Sequence, residues 1–268
     1  MTAPRLPTYF LSHGGGPWPW IKDQFPGDLD RLEASLAAIP DDLPKRPTAI
    51  LCVSAHWIEP AFTVQRNPRP PMLYDYGGFP AFTYEIRYPA PGSPELADRV
   101  TALLRDAQIA SGTDASRGFD HGVFAPLYVM YPRADVPIVQ LSIRSGFDPA
   151  EHLAVGRALA PLRDEGILIV GSGLSYHNMR GFSPAGRAPS IAFDDWLTAT
   201  LTESDPDVRT KSLTEWEAAP AARLAHPSED HLVPLMVAVG AAEHDRGVRT
   251  YHQDDFMGSV AASSYRFG

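Results

Sequence analysis

The 268-residue chain carries a net charge of −9, with 44% hydrophobic and 21% charged residues. This composition is ordinary for a globular protein with a full core, and the negative charge argues against non-specific binding to nucleic acid or to an anionic membrane. No apolar run approaches the roughly 20 residues that span a bilayer, and "MTAPRLPTYF" lacks the long apolar core of a signal peptide. A single cysteine, Cys52, excludes an internal disulfide, so we expect a cytoplasmic protein.

Short apolar runs that are rich in β-branched residues predict strands. They cover 8–13, 48–56, 136–143 and 166–173. Because these runs are almost continuously apolar, we expect the strands to be buried on both faces of a sheet, with Cys52 in the core.

Helical patterns lie between and after these strands. The spacing predicts helices over 93–107, with Ser93 as N-cap, over 148–166, near 190–203 and near 231–242. Strands that alternate with helices indicate an α/β fold. We predict a single three-layer α/β/α domain over 1–268, with a mostly parallel or mixed central sheet. The loop-rich stretch 57–92 is expected to lie over one end of the sheet.

Four of the nine histidines lie where predicted strands end or helices begin: His13, His56, His177 and His231. Ligands of an open α/β sheet collect at the carboxyl ends of its strands. Imidazole suits Zn, Fe, Cu or Ni, so we expect at least three of these histidines to bind a metal or act in catalysis. Glu229 and Asp230 are alternative third ligands, or simply acids that favour the N-terminus of the following helix.

The other histidines are less clearly placed. His121, in "GFDHGVFAPL", either orients a substrate oxygen or bonds to the backbone of a loop. The remaining four stand in polar or helical surroundings and are predicted to lie at the surface: His152, His226, His244 and His252.

Several common catalytic motifs are absent. The run "GSGLS" fails as a nucleophile elbow, because Val170 stands where that motif needs glycine. The stretch "GGGP" fits neither a dinucleotide-binding fingerprint nor a P-loop, and H-E-x-x-H does not occur. These absences argue against nucleotide-dependent chemistry and against a zincin protease.

Eight segments in register resemble the class III extradiol ring-cleavage dioxygenases, and within them the 4,5-DOPA dioxygenase branch. They are "LSHGGGP", "VSAHW", "YDYGGFP", "YEIRYPAPGSPELA", "RGFDHGVFAPLYVMYP", "VPIVQLSI", "GSGLSYHNMRG" and "HPSEDHLVPLMVAVGAA". The resemblance covers nearly the whole chain. It implies an α/β fold with a non-haem Fe(II) site, which in family members can also hold zinc. It further implies a catechol substrate into which both atoms of O₂ are inserted, giving a muconic semialdehyde.

The resemblance also implies roles for individual residues. His13, His56 and His231 match metal ligands, and His177 matches a histidine beside the metal that is either a fourth ligand or an acid/base group. We favour acid/base. His121 matches a histidine near the substrate. In relatives outside this branch the third ligand is a glutamate, which keeps Glu229 and Asp230 as fallback ligands.

Residues around these histidines are candidates for substrate binding. The glycines 14–16 leave space beside His13, and Gly15 is expected to border the substrate. The nearby aromatic residues either wall the pocket or pack as ordinary loop residues: Trp18, Trp20, Trp57, Tyr74, Tyr76, Phe79 and Phe124. Arg180 either binds a substrate carboxylate or forms a structural ion pair. The same histidines also suit a zinc hydrolase, or a protein that binds a metal or a phenol without turnover.

Overall fold

The computed structural model describes residues 4–25 and 27–268. Its strands are β1 Thr8–Ser12, β2 Ala49–Glu59, β3 Phe62–Gln65, β4 Ser111–Asp114, β5 Ile138–Arg144, β6 Ile167–Gly173, β7 Gly247–Phe256 and β8 Val260–Phe267. Its α-helices are α1 Trp18–Ile21, α2 Asp30–Asp42, α3 Pro94–Asp106, α4 His121–Met130, α5 Pro149–Leu159, α6 Arg187–Leu201, α7 Pro206–Thr214, α8 Ala222–Ala225 and α9 Val233–Ala241. None of the helices in these residues is long and apolar enough to cross a membrane.

The strands form one mixed sheet in the order β4-β3-β5-β2-β6-β1-β8-β7. Its centre, β5-β2-β6-β1, is parallel throughout, whereas β8 and β7 add to it in antiparallel fashion. These four central strands are the four that the sequence predicts. The mixed α/β fold is therefore confirmed.

Alternate residues of the central strands pack into two separate hydrophobic cores, one on each face of the sheet. Leu51 and Val53 of β2 pack with apolar side chains of α3, α5 and α9 on one face. Ile50 and Cys52 point to the other face, where they belong to a core that includes apolar side chains of α2, α4 and α6. Burial on both faces explains why these strands read as continuous apolar runs, and it gives the three layers that the sequence predicts.

Local signals set the helix ends. The Ser93 side chain accepts a hydrogen bond from the N–H of Leu96 at the start of α3, as predicted. The predicted helix over 148–166 ends earlier, at Leu159, and continues as a 3₁₀ turn over Ala160–Arg163. Pro161 has no N–H with which to extend the α-helical hydrogen bonding.

The segment between β2 and α3 is partly strand and partly loop. β2 runs on past the predicted end at His56 to Glu59, and β3 follows it directly. Residues 66–92 then cross the carboxyl ends of the central strands, where the carboxylate of Asp75 bonds to His121 at the start of α4. The loop-rich cover that the sequence predicts thus begins at residue 66.

Candidate metal centre

Three imidazoles converge beside the carboxyl end of β1 and the irregular last part of β2. The Nε2 atom of His56 lies 3.3 Å from Nε2 of His13 and 3.2 Å from Nε2 of His231. The planes of these three rings are inclined to one another by 51–84°. Inclined rings can direct their in-plane lone pairs toward one point, which is the arrangement that a shared cation needs.

Two further histidines complete the cluster. Ligand atoms of His13, His56 and His121 lie within 4.8 Å of one another, and so do those of His177, Asp230 and His231. The cluster can therefore hold a metal ion. The four histidines that the sequence analysis picks out at element ends are brought together with His121 in one place.

Backbone bonds hold His13 directly beyond β1. Its N–H donates to the carbonyl of Gly173 at the end of β6 (2.9 Å), and its own carbonyl accepts a hydrogen bond from Nε1 of Trp18 (2.7 Å). The ring is 2% exposed. His13 thus bridges the ends of two parallel strands.

His56 lies within an irregular part of β2 rather than at its end. The pairing of β2 with β5 shifts register between Ser54 and Ile58, so that residues 55–57 form a bulge. A bulge re-aims side chains next to a functional site. The predicted end of this strand was wrong, because the chain resumes pairing after the bulge.

His231 lies two residues before α9, as predicted. Its carbonyl accepts from the N–H of Leu174, just after β6 (3.2 Å). A Cβ atom on Gly173 would come within 2.1 Å of that carbonyl oxygen, so the close approach of the two segments requires glycine there. His231 is 3% exposed.

Burial keeps the converging imidazoles neutral. Loss of hydration lowers the pKa of His13 and His231 well below 6.5, and the crowding of further imidazoles lowers it more. The same causes, with His121 as the nearest imidazole, lower the pKa of His56 to about 3. Neutral imidazole is the form that binds a metal.

Two carboxylates stand behind these rings. Oδ2 of Asp230 lies 2.5 Å from Nδ1 of His231 and 3.9 Å from Nδ1 of His177. Asp75 faces His56 and His121 in the same way. Burial raises the pKa of Asp75, but the hydrogen bonds from His121 and the electrostatic interaction with the rings of His121 and His56 outweigh it and leave the pKa below its usual value. Carboxylates behind metal-binding histidines fix the tautomer of each ring.

The two acids proposed as fallback ligands are arranged differently from each other. Glu229 accepts a hydrogen bond from Nη2 of Arg223 (2.6 Å), and neither group of possible ligand atoms in the described residues includes it. Asp230 lies behind His231, although its carboxylate also belongs to the second group of possible ligand atoms.

His177 stacks on His231. The two ring centroids are 3.3 Å apart and the planes differ by only 15°. The backbone N–H of His177 donates to the carbonyl of Ala225 (3.0 Å), and its side chain keeps 23% exposure. Burial lowers its pKa from the ordinary value. His177 is therefore a neutral, partly accessible imidazole beside the converging three.

His121 is the first residue of α4 rather than part of a loop. The residue before it, Asp120, is fully buried; its Oδ1 accepts from Ser54 Oγ (2.7 Å), and its Oδ2 accepts from Arg117 Nη2 (3.0 Å) and from Gln140. Burial raises the pKa of Asp120, against the influence of these donors. The network joins α4 to β2 and β5 beneath the site, and no pattern in the sequence predicts it.

The three glycines after His13 have different surroundings. Gly14 and Gly16 have positive φ angles of +81° and +53°, and a Cβ atom on them would lie 2.5 Å from Trp18 and 2.8 Å from Phe79. Gly15 is exposed and would have nothing within 4 Å of its Cβ. Only Gly15 therefore leaves open space beside His13.

Most of the predicted aromatic residues gather near His121. Tyr76 lies 5.9 Å from its ring, with Phe79 and Phe124 against Tyr76. Tyr74 also packs on Tyr76, and Trp20 packs on Phe124.

Trp57 and Arg180 lie outside this group. Trp57 packs under Arg117 and donates to Glu59. Arg180 is exposed, in the 3₁₀ turn Met179–Gly181 that follows His177.

Two histidines predicted at the surface are fully buried. Nε2 of His152 accepts from the N–H of Arg144, and its Nδ1 donates to the carbonyl of Asp148. His226 donates from Nε2 to the carbonyl of Ser175 (2.9 Å) and packs against Phe193. The prediction was wrong because both rings form hydrogen bonds to backbone groups inside the protein. His244 and His252 are exposed, as predicted.

Comparison with known proteins identifies the family. A family model described as the catalytic LigB subunit of aromatic ring-opening dioxygenase matches residues 9–268. The chain belongs to this family. It is 42% identical to a 4,5-DOPA dioxygenase extradiol of Beta vulgaris over 97% of this chain and 96% of that one. It is 36% identical to a 4,5-DOPA dioxygenase extradiol of Escherichia coli K12 over 100% and 97% of the two chains.

A solved structure agrees with this assignment. The crystal structure of an uncharacterized protein from Escherichia coli K12 matches with a TM-score of 0.79 at 34% identity, covering 98% of this chain and all of that one. The protein is thus an extradiol ring-cleavage dioxygenase of the 4,5-DOPA dioxygenase branch, as the sequence resemblance predicts. Membership implies a small aromatic substrate and O₂.

Proposed function

We propose that the protein is a non-haem Fe(II)-dependent dioxygenase that inserts both atoms of O₂ into a DOPA-like or other substituted catechol to give a muconic semialdehyde. The whole chain, 1–268, acts as one catalytic domain in this proposal. The observation that carries it is the convergence of the Nε2 atoms of His13, His56 and His231. Three neutral imidazoles fit Fe(II), and they also fit zinc in its place.

Bound iron would supply the redox chemistry between catecholate and O₂, which zinc lacks. The protein's own part is to hold the ligands neutral, to position the ring and to handle protons. The aromatic side chains of Tyr76, Phe79 and Phe124 would flank a flat ring next to His121. Gly15 is the open point beside His13 through which a ring can approach.

His177 is the acid/base group in this proposal. The lone pair of an imidazole nitrogen lies in the plane of its ring, so two nearly parallel rings do not aim their lone pairs at one point. His177 stacks on His231 at 15°, which supports a role other than fourth ligand to a shared ion. As a neutral imidazole it can accept a proton from a catechol hydroxyl, and the carboxylate of Asp230, 3.9 Å from its Nδ1, favours the charged form that results.

The test is anaerobic reconstitution with Fe(II), followed by air and a panel of catechols. We expect a yellow product with matching O₂ uptake for Fe(II) and none for zinc. His177→Gln should still bind the metal but lose turnover by roughly 10²–10⁴-fold, the usual contribution of an acid/base group. His252→Gln, at an exposed histidine, is the matched control and should keep wild-type activity.

Two outcomes would contradict the proposal. Iron-loaded protein that consumes no O₂ with any catechol would reject the reaction and leave a zinc hydrolase as the next hypothesis. Loss of metal from His177→Gln, at wild-type stability, would make His177 a ligand instead of an acid/base group.

A further inference from the structure

We propose that Asp75 is a positioning residue that sets the tautomers of His56 and His121 together. The inference rests on the proposed function, since it concerns how the same site is prepared for metal and substrate. Asp75 lies in the loop 66–92, far in sequence from both histidines. Its side chain keeps 18% exposure.

The two oxygens of this carboxylate have different partners. Oδ1 accepts from both the backbone N–H (3.0 Å) and the Nδ1 (2.9 Å) of His121. Oδ2 lies 3.4 Å from Nδ1 of His56. One side chain thereby links the first turn of α4 to the bulge of β2.

An ionised carboxylate only accepts hydrogen bonds. Nδ1 of His121, which bonds to Oδ1, must therefore carry the hydrogen of its ring. The same carboxylate, 3.4 Å from Nδ1 of His56, favours hydrogen on that nitrogen as well, which leaves the lone pair of each neutral ring on Nε2. In His56 that lone pair points toward Nε2 of His13 and of His231. In His121 it leaves an acceptor suited to a substrate hydroxyl. A single carboxylate thus makes one ring ready to bind a metal and the other ready to accept a hydrogen bond.

Asp75 lies in the loop 66–92, so the contacts that set the two tautomers also hold this loop in place. Its neighbour Tyr76 packs near His121, and Phe79 lies against Gly16. The hydrogen bonds that Asp75 accepts from His121 fix the loop that carries these aromatic residues. Asp230 faces His231 in a comparable way, but it is adjacent to that histidine in sequence, and its second imidazole, His177, lies farther away at 3.9 Å.

The Asp75→Asn variant removes the negative charge of the side chain but keeps nearly the same shape. If the amide oxygen keeps both bonds from His121, the NH₂ group takes the place of Oδ2 and faces Nδ1 of His56. That nitrogen then has to accept, and the ring hydrogen moves to Nε2, where it blocks metal binding. Loss of such a partner typically lowers metal affinity 10–100-fold, and we expect that range here.

The experiment uses the metal-free full-length protein and two readouts. Long-range ¹H–¹⁵N NMR reports the tautomer of each histidine, and chelator competition with Zn²⁺ alone measures affinity. In wild type, we expect His56 and His121 to carry hydrogen on Nδ1. In Asp75→Asn, we expect His56 to change to the Nε2–H form and Zn²⁺ affinity to fall 10–100-fold, with an unchanged circular dichroism spectrum.

Asp194→Asn is the matched control. Asp194 is a buried carboxylate that lies 3.2 Å from Nδ1 of His252, outside the histidine cluster. This variant should bind Zn²⁺ like wild type.

Three results would overturn the inference. They are Nε2–H tautomers in wild-type His56 or His121, unchanged Zn²⁺ affinity in Asp75→Asn, or an equal loss in Asp194→Asn. The wild-type tautomers are decisive even if the variant does not fold. A wild-type protein that binds metal but never cleaves a catechol would reject the proposed function. It would not affect the assignment of Asp75, because the tautomers and the Zn²⁺ affinity are measured without catechol.

Discussion

Replacing Gly14 by alanine should destabilise the protein and weaken its metal site together. The φ angle of +81° at Gly14 costs an L-residue about 1–2 kcal/mol. The new Cβ would lie 2.5 Å from Cδ1 and Nε1 of Trp18, whose Nε1 donates to the carbonyl of His13. Displacing that indole leaves a buried donor or acceptor unpaired, at about 1–3 kcal/mol. The sum predicts a loss of about 2–5 kcal/mol in the free energy of unfolding.

Urea unfolding of the metal-free protein measures this loss directly. Gly15→Ala, one residue along, is the control, because its Cβ meets nothing within 4 Å and its backbone is not left-handed. It should stay within about 0.5 kcal/mol of wild type. Zn²⁺ affinity should fall in Gly14→Ala, since His13 shifts with its carbonyl, and hold in Gly15→Ala. A Gly14→Ala protein as stable as wild type, or two variants equally destabilised, would contradict this prediction.

Three further predictions concern single residues. Gly15→Val should raise the dissociation constant for catechol without changing Zn²⁺ affinity, and unchanged catechol binding would reject Gly15 as a point of access. Arg180→Met should raise KM for carboxylated catechols but leave catechol itself unaffected; equal effects on both would reject a carboxylate contact. Burial lowers the pKa of His226 to about 4, so the unfolded chain takes up its proton first as the pH falls below 6.5. The contribution of this neutral ring to the free energy of unfolding is therefore complete above pH 6.5. About 3 kcal/mol of it is lost as the pH falls toward 4. His226→Gln should remove that part of the slope in denaturation measured against pH, and an identical slope would contradict the assignment.

The central strands could be predicted from the sequence because burial on both faces leaves an unbroken apolar run. The other strands lack that signal. β4 is the polar tetrapeptide Ser111–Asp114, and β7 alternates buried with exposed residues along an edge of the sheet. Such segments become strands through pairing with a neighbour, which local composition does not encode.

The candidate site likewise contains some residues that the sequence predicts and others that it does not. His13 and His177 could be found because they follow strands that the sequence predicts, and strand ends meet at one edge of a sheet. Asp75 could not be found, since its contact with His121 depends on the path of a long loop. The burial of His226 was equally hidden, because its partner is a backbone carbonyl at Ser175.

The charge of the site limits how a catechol can bind. Three neutral imidazoles leave a divalent cation its full charge of +2. The carboxylates of Asp75 and Asp230 face the Nδ1 edges of His56 and His231 and balance that charge from behind the rings. A catechol that lost both protons to solvent would therefore leave this buried region with an excess of about −2, which desolvation disfavours. If His177, near Asp230, keeps one of these protons, the excess negative charge of the site is halved. In the proposed reaction, the arrangement would thus favour a catechol whose second proton stays within the site, where His177 would return it later.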